Sequence, residues 1–397
     1  MPYYYLIIFI ILAIFSLLEQ YPHTWQIDKY MRIIAFFLIF STSAFKYETG
    51  VDWYVYTWAF DQQMPLFNIF TVGVTGFFSN ISFEPGYVVL SSAVKQVGGS
   101  IQSLYFIIAL INIVLLYKSL TFFSNQPILC LLFYYSFIFF ILDMSGIRQS
   151  LALNIFLYGL RYVYSRQFWK YMLFIILAAL FHQTAALFIL IYFLFPAQRI
   201  KPAVLISIFF AGIMFIIFQI KWIDSLTLYI LPFLNFGDVT EKIMTYVFSG
   251  NYLVGYNIGI PAFVGIISVI YFISNKNRLM DDPMNSFVFL LFIVYMTFYN
   301  FMYQLEEISV RFCTYFIVFT CVIITRYINT LQMQTNKLAI TSLVIIYCFF
   351  SSGPYLIDGR STIAYSPYQN YIIYKVFNIQ STGEERLNKH IEQHDIN

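Results

Sequence analysis

The chain is 397 residues long, 60% hydrophobic and only 10% charged, with a net charge of +3 and a mean hydropathy of +0.74. A soluble domain carries about 25% charge, so this composition excludes a water-facing globular protein, and +3 is too slight to imply nucleic acid. What remains is an all-α, polytopic helical bundle integral to a membrane, with about twelve membrane segments.

A membrane span needs about 20 apolar residues at 1.5 Å rise each. The first lies at 2–18; it lacks the basic n-region and small-residue cleavage site of a signal peptide. Others follow at 30–45, 101–120, 126–143, 147–163, 202–220, 256–274, 285–304, 310–328 and 337–353. Residues 83–97 are apolar but short, opening on Glu84, Pro85 and Gly86 and closing on Lys95. Residues 169–197 read either as one long tilted helix or as two short arms meeting at His182.

Short cytoplasmic loops accumulate Lys and Arg, and this arbitrates. With 83–97 at the interface and 169–197 as a hairpin, Lys29, Arg32, Lys118, Arg161, Arg166, Lys170, Arg199, Lys201, Lys276, Arg278, Arg326 and Lys337 share one side. Only Glu19, Asp28, Asp281 and Asp282 join them, leaving 15 of the 19 acids to the other side. That outer side takes loops 46–82 and 221–255 and the tail. The hairpin is therefore preferred, and both termini face outward. In the tail, 367–378 reads as an interfacial helix and the last fifteen residues as a mobile end.

Ionisable groups beside apolar runs are costly and tend to serve function. On this topology they gather outside: Lys46, Glu48 and Asp52 in FKYETGVDWYVY, Glu84 in FEPGYVVL, Asp143 and Arg148 in LDMSGIRQSLALN, His182 in ALFHQTAAL, and Glu306, Glu307 and Arg311 in YQLEEISVRFCTYF. Each also has a plain structural reading. Lys46 and Arg311 can be headgroup anchors, Asp52 an N-cap, Glu84 the residue before a helix-starting proline, and His182 a satisfied core histidine. Arg148 resists such a reading, because a guanidinium cannot neutralise itself in lipid. The four cysteines, Cys130, Cys313, Cys321 and Cys348, lie in apolar runs without metal-ligand spacing. No GxxxxGK[ST], HExxH or paired CxxC occurs, and no cytosolic domain bears a DxD, so nucleotide hydrolysis and zinc chemistry have no support.

Taken in order, K-x3-G-x-D-x3-Y (Lys46, Gly50, Asp52, Tyr56), EPGY (Glu84–Tyr87), IRQSLA (Ile147–Ala152), LFHQTA (Leu180–Ala185), a late span opening with Arg311, and SPY ending at Tyr368 resemble the EpsG-like group of Wzy-type bacterial polysaccharide polymerases. Lys46 stands where that group more often has arginine. The resemblance implies a membrane glycosyltransferase that polymerises undecaprenyl-diphosphate-linked oligosaccharide repeat units, as in O-antigen, lipopolysaccharide, capsule or exopolysaccharide synthesis. It would work at the periplasmic face of the bacterial inner membrane, without metal or cofactor. Membrane lipid, a chain-length regulator and a flippase are its expected partners, and nucleic acid is not. Residues 1–353 would form the transmembrane polymerase domain with periplasmic loops 46–100 and 221–255, and 354–397 a periplasmic tail. Breaking a glycosyl–phosphate bond builds negative charge on the leaving diphosphate, which fixed cations stabilise. Arg148, Arg311, Lys46 and Gln149 suit that contact; Arg148, His182, Asp52 and Glu84 are the catalytic candidates, with His182, Asp52 and Glu84 unranked as base. A ligase-like transferase is the nearest alternative in chemistry. A transporter of the lipid-linked unit is a different one, disfavoured because no repeat is evident and the charges gather at one face.

Overall fold

In hydrocarbon every backbone amide must find its partner within its own segment, so helix is the workable form for an apolar chain. The computed structural model follows that rule. Its described residues are 3–22, 24–79, 81–194, 202–218, 220, 222, 265, 269, 282–302, 306–357 and 363–395, and every named element among them is helical. In chain order these are α1 (Tyr4–Leu18), α2 (Trp25–Ala44), α3 (Trp53–Gln62), α4 (Ile69–Ser79), α5 (Pro85–Gln96), α6 (Ile101–Phe123), α7 (Pro127–Tyr134), α8 (Ile147–Tyr164) and α9 (Phe168–Ala179). They continue as α10 (Leu190–Leu194), α11 (Pro202–Ile217), α12 (Pro283–Phe301), α13 (Glu306–Cys313), α14 (Val318–Thr330), α15 (Gln334–Leu356), α16 (Tyr371–Val376) and α17 (Gly383–Asp395).

Four stretches among the described residues are long and apolar enough to cross a membrane: Ile101–Phe123, Pro283–Phe301, Ser309–Thr330 and Gln334–Leu356. Shorter apolar helices accompany them, including Tyr4–Leu18, Pro127–Phe139 and Phe168–Ala179. Length and apolarity thus establish a membrane protein but not a dozen crossings, because turns divide several apolar runs. The run at 126–143 shows this: α7 passes into one π-helical stretch, Tyr135–Phe139, and gives way to turns before Asp143. The loop at 221–255 (apart from Trp222) and the span at 256–274 (apart from Gly265 and Val269) lie outside the described residues.

The chain divides into two compact units, Met1–Tyr192 with Thr325–Asn397, and Phe193–Ile324. In the first, α7 is buried at every residue, as expected of a helix apolar all round. It packs against α1, and α8 packs on α6 and α9. A Cβ at Gly159 would stand 2.9 Å from Phe174 Cβ, so a small residue sets how closely α8 meets α9. Over its described residues, 169–194, the 169–197 run is a hairpin. Helix α9 stops at Ala179, His182 is extended, and a 3-10 turn leads into α10. Tyr171 Oη donates to Phe188 O at 2.5 Å and Arg166 Nη1 to Tyr192 O at 2.9 Å, so the arms run antiparallel. Each arm is about 12 residues, roughly 18 Å of helix, against a hydrocarbon core of about 30 Å. In the second unit, α11 packs on α12, and Phe298 of α12 stacks on Phe312 of α13.

Residues Gly383–Asp395 form α17, and Arg386, only 5% exposed, donates to Glu48 O at 2.8 Å and Pro367 O at 3.2 Å. Burial pulls the Arg386 guanidinium below its ordinary pKa, with Tyr5, Tyr374 and Glu48 opposing. This buried guanidinium is one of the ties between the tail and the loop after α2.

Candidate active site

Two of the sequence motifs are docking devices. Just after α2, Lys46 Nζ donates to Asp143 O at 2.9 Å and Met144 O at 2.7 Å, and lies 4.7 Å from the Tyr105 ring centre. It is 2% exposed, and burial pulls its pKa down to about 7 against the opposing charges of Asp143 and Asp52. Four residues on, Gly50 has φ +107°, and a Cβ there would stand 2.2 Å from Met144 O, so no other residue fits. Val51 N–H donates to Ser145 Oγ at 3.0 Å. From the other side, Gly50 N–H donates to Ala364 O and Tyr47 N–H to Gln369 O, both at 3.0 Å, and Tyr365 Oη meets Ser145 Oγ at 2.7 Å. The loop 45–51 is therefore clamped between the tail and the turn that launches α8.

That turn places Arg148 in the first turn of α8. Its guanidinium lies over the Phe83 ring at 4.0 Å, and Nε reaches Tyr56 Oη at 3.5 Å. Nη1 pairs with Glu84 Oε2, and the second oxygen, Oε1, is 3.4 Å from His182 Nδ1. That second contact is an ion-pair distance without hydrogen-bond alignment, and among the described residues neither ring nitrogen has an aligned partner. Side-chain exposures of 24% for Arg148, 15% for His182 and 10% for Glu84 make the cluster shielded yet reachable. Burial pushes the Glu84 carboxyl up, but the His182 contact and the Arg148 charge outweigh it and hold it below the usual carboxylate value.

The EPGY motif assembles this cluster. Glu84 occupies the N-cap position of α5 and Pro85 its first turn. Gly86 N–H donates to Leu180 O at 2.8 Å, and a Cβ on Gly86 would stand 2.7 Å from that oxygen. The hairpin tip can therefore seat directly on α5, which brings His182 to Glu84. Tyr87 is buried against Phe83 and Tyr56, at 5.2 and 5.7 Å between ring centres.

Asp52 takes the N-cap position of α3 and accepts from Tyr56 N–H through its carbonyl at 3.1 Å, without a side-chain cap bond. Gln149 follows Arg148, half-buried. Arg311 is exposed on α13, in the second compact unit. Lys46 directs its ammonium at main-chain carbonyls. Among the described residues no group of three or more His, Cys, Asp and Glu could hold a metal ion.

Sequence reasoning missed the polar network beneath Arg148. Asp143 accepts from Tyr134 Oη at 2.6 Å, Ser150 Oγ at 3.0 Å and Asn112 Nδ2 at 3.4 Å, and Asn154 Nδ2 donates to Tyr134 Oη at 3.3 Å. Asn112 and Asn154, each inside an apolar helix, were the available signal. Phe83 as a platform for the guanidinium had none. Chemically the cluster offers a fixed cation, a carboxylate and an imidazole on one shielded surface, able to hold an anion and take a proton.

A model of the EpsG family matches residues 29–370, which takes in every motif from Lys46 to Tyr368. No curated protein and no solved structure matches the chain.

Proposed function

From the premise that the chain belongs to the EpsG family, a Wzy-like polysaccharide polymerase family, we propose that it is a membrane glycosyltransferase extending a lipid-linked glycan at the outer face of the bacterial inner membrane. The observation that carries this reading is Glu84 bracketed between Arg148 and His182. The donor is an oligosaccharide on undecaprenyl diphosphate, and the acceptor is the non-reducing end of a second lipid-linked unit. The acceptor oxygen bonds to the donor's anomeric carbon while the bond from that carbon to the phosphate oxygen breaks. The electron pair leaves with the diphosphate lipid, and the acceptor proton passes to His182.

Arg148 is the diphosphate contact. Its guanidinium presents a fork that two phosphate oxygens can engage at once, and Phe83 and Tyr56 hold it in place. Before substrate arrives, Glu84 occupies that fork, so an incoming diphosphate displaces it. Glu84 then turns its charge to His182, stabilising the imidazolium that forms as the proton is taken. Gln149 serves as a hydrogen-bonding neighbour of Arg148. Asp52 and Lys46 act on the loop that positions these groups.

Deletion in the native host tests the reading. Gel display of the surface glycan should show single capped repeat units in place of the ladder. Complete loss of surface glycan would instead mark a transporter of the lipid-linked unit and overturn the assignment.

A further inference from the structure

The cytoplasm-facing end of the first unit on our topology carries a second cationic cluster, at the opposite end of α8 from Arg148. Arg148 and Arg161 are separated by 13 positions on one helix, about 20 Å along its axis. Arg161 lies over the Tyr158 ring at 3.7 Å and donates from Nη2 to Lys118 O at 3.0 Å. Lys118 Nζ stands 5.9 Å from the same ring, and Lys170 Nζ 5.7 Å from Tyr162. Tyr158 and Tyr162 are neighbours, both packed on Phe174. Three cations from α6, α8 and α9 are thus arrayed along one aromatic ladder.

Nothing in these helices neutralises them. Neither α6, α8 nor α9 contains an Asp or Glu. Of the acids at that end, Glu19 caps the C-terminus of α1 and Asp28 lies in the first turn of α2. Glu19 is engaged there, accepting from Ile128 N–H and Leu129 N–H at 3.1 Å. Lys118 and Lys170 are exposed and have no carboxylate partner among the described residues. Trp169, 80% exposed beside Lys170, and Tyr117, exposed beside Lys118, are the residue types that sit at the headgroup level of a bilayer.

We propose that Lys118, Arg161 and Lys170 form a binding site for the phosphodiester headgroup of an anionic phospholipid, in the leaflet opposite the candidate active site. Stacking on Tyr158 and Tyr162 holds the cations at the membrane surface, and the acid-free helix ends leave a headgroup phosphate as their counter-charge. Basic pockets between membrane helices recognise such headgroups by this combination.

Full-length protein in nanodiscs of phosphatidylcholine, doped with phosphatidylglycerol, tests this by native mass spectrometry and thermal melting. The expected result is retained phosphatidylglycerol and a raised melting temperature, with affinity falling about fivefold for each of Lys118→Gln and Lys170→Gln. The double variant spares Arg161 and its structural bond to Lys118 O, so loss of fold does not confound it. Inorganic phosphate should not stabilise the protein; stabilisation by phosphate equal to that by phosphatidylglycerol would make this a free-anion site and overturn the proposal. Undiminished phosphatidylglycerol retention in the double variant, or equal retention of phosphatidylcholine, would also overturn it. Arg148→Ala should keep the lipid, which separates this site from the reading of the active site.

Discussion

Replacing Arg148 by Ala should abolish polymer while the protein stays in the membrane. Phe83 and Tyr56 hold the guanidinium independently of Glu84, so it remains fixed when a diphosphate displaces that carboxylate. Removing one preorganised contact to developing charge lowers rate about a hundredfold or more, on the order of 3 kcal/mol of barrier. Arg148→Lys keeps the charge but loses the fork, and should stay at least about tenfold below wild type. Arg148→Ala also strips Glu84 of its main partner, which risks a stability loss. The double variant Arg148→Ala with Glu84→Gln removes that unpaired charge; it should restore protein level without restoring polymer. Immunoblots of membranes run beside the glycan ladder read both quantities. A normal ladder in Arg148→Ala at normal protein level would refute the diphosphate assignment and the exchange with Glu84 built on it.

Glu84→Gln alone frees Arg148 and deprives His182 of its carboxylate, so purified protein should retain lipid-linked donor better while chain extension falls; a parallel loss of both would remove the exchange. Gly86→Ala forces a Cβ to 2.7 Å from Leu180 O and should shift the hairpin tip. We expect polymer to fall at least about tenfold with a melting-temperature change of only a few degrees. Lys46→Met leaves two buried carbonyls unpaired, a cost of roughly 1–3 kcal/mol each. Because Lys46 titrates near 7 when folded and near 10.4 when unfolded, the folded state binds fewer protons between those values. The wild type's stability advantage over Lys46→Met should therefore widen as pH rises from 7 to 9, as melting curves will show. For topology, cysteines placed at Asn68 and Ser381 should react with an impermeant maleimide from outside, and those at Arg166 and Lys170 only after lysis. The four native cysteines are buried and give little background.

Much of the architecture was legible in the sequence, because apolar length and charge are one-dimensional properties. The composition required a membrane helix bundle, and helices α6, α8 and α15 fall where the apolar runs place them. The break at His182 was foreshadowed by the distribution of Lys and Arg, and Arg148 by the cost of a guanidinium beside lipid. The sequence also held Glu84, Arg148 and His182 as separate candidates. Only the tertiary structure joined them, since residues 64 positions apart meet through the docking of Gly86 on Leu180 and of Lys46 on the 143–144 turn. Those contacts are made by backbone carbonyls, which no side-chain pattern announces. For the same reason Lys46 looked from sequence like one more outer cation. Three-dimensional packing turns its ammonium inward onto two carbonyls and the Tyr105 ring, and leaves Arg148, launched by the same turn, as the cation facing the carboxylate and the imidazole.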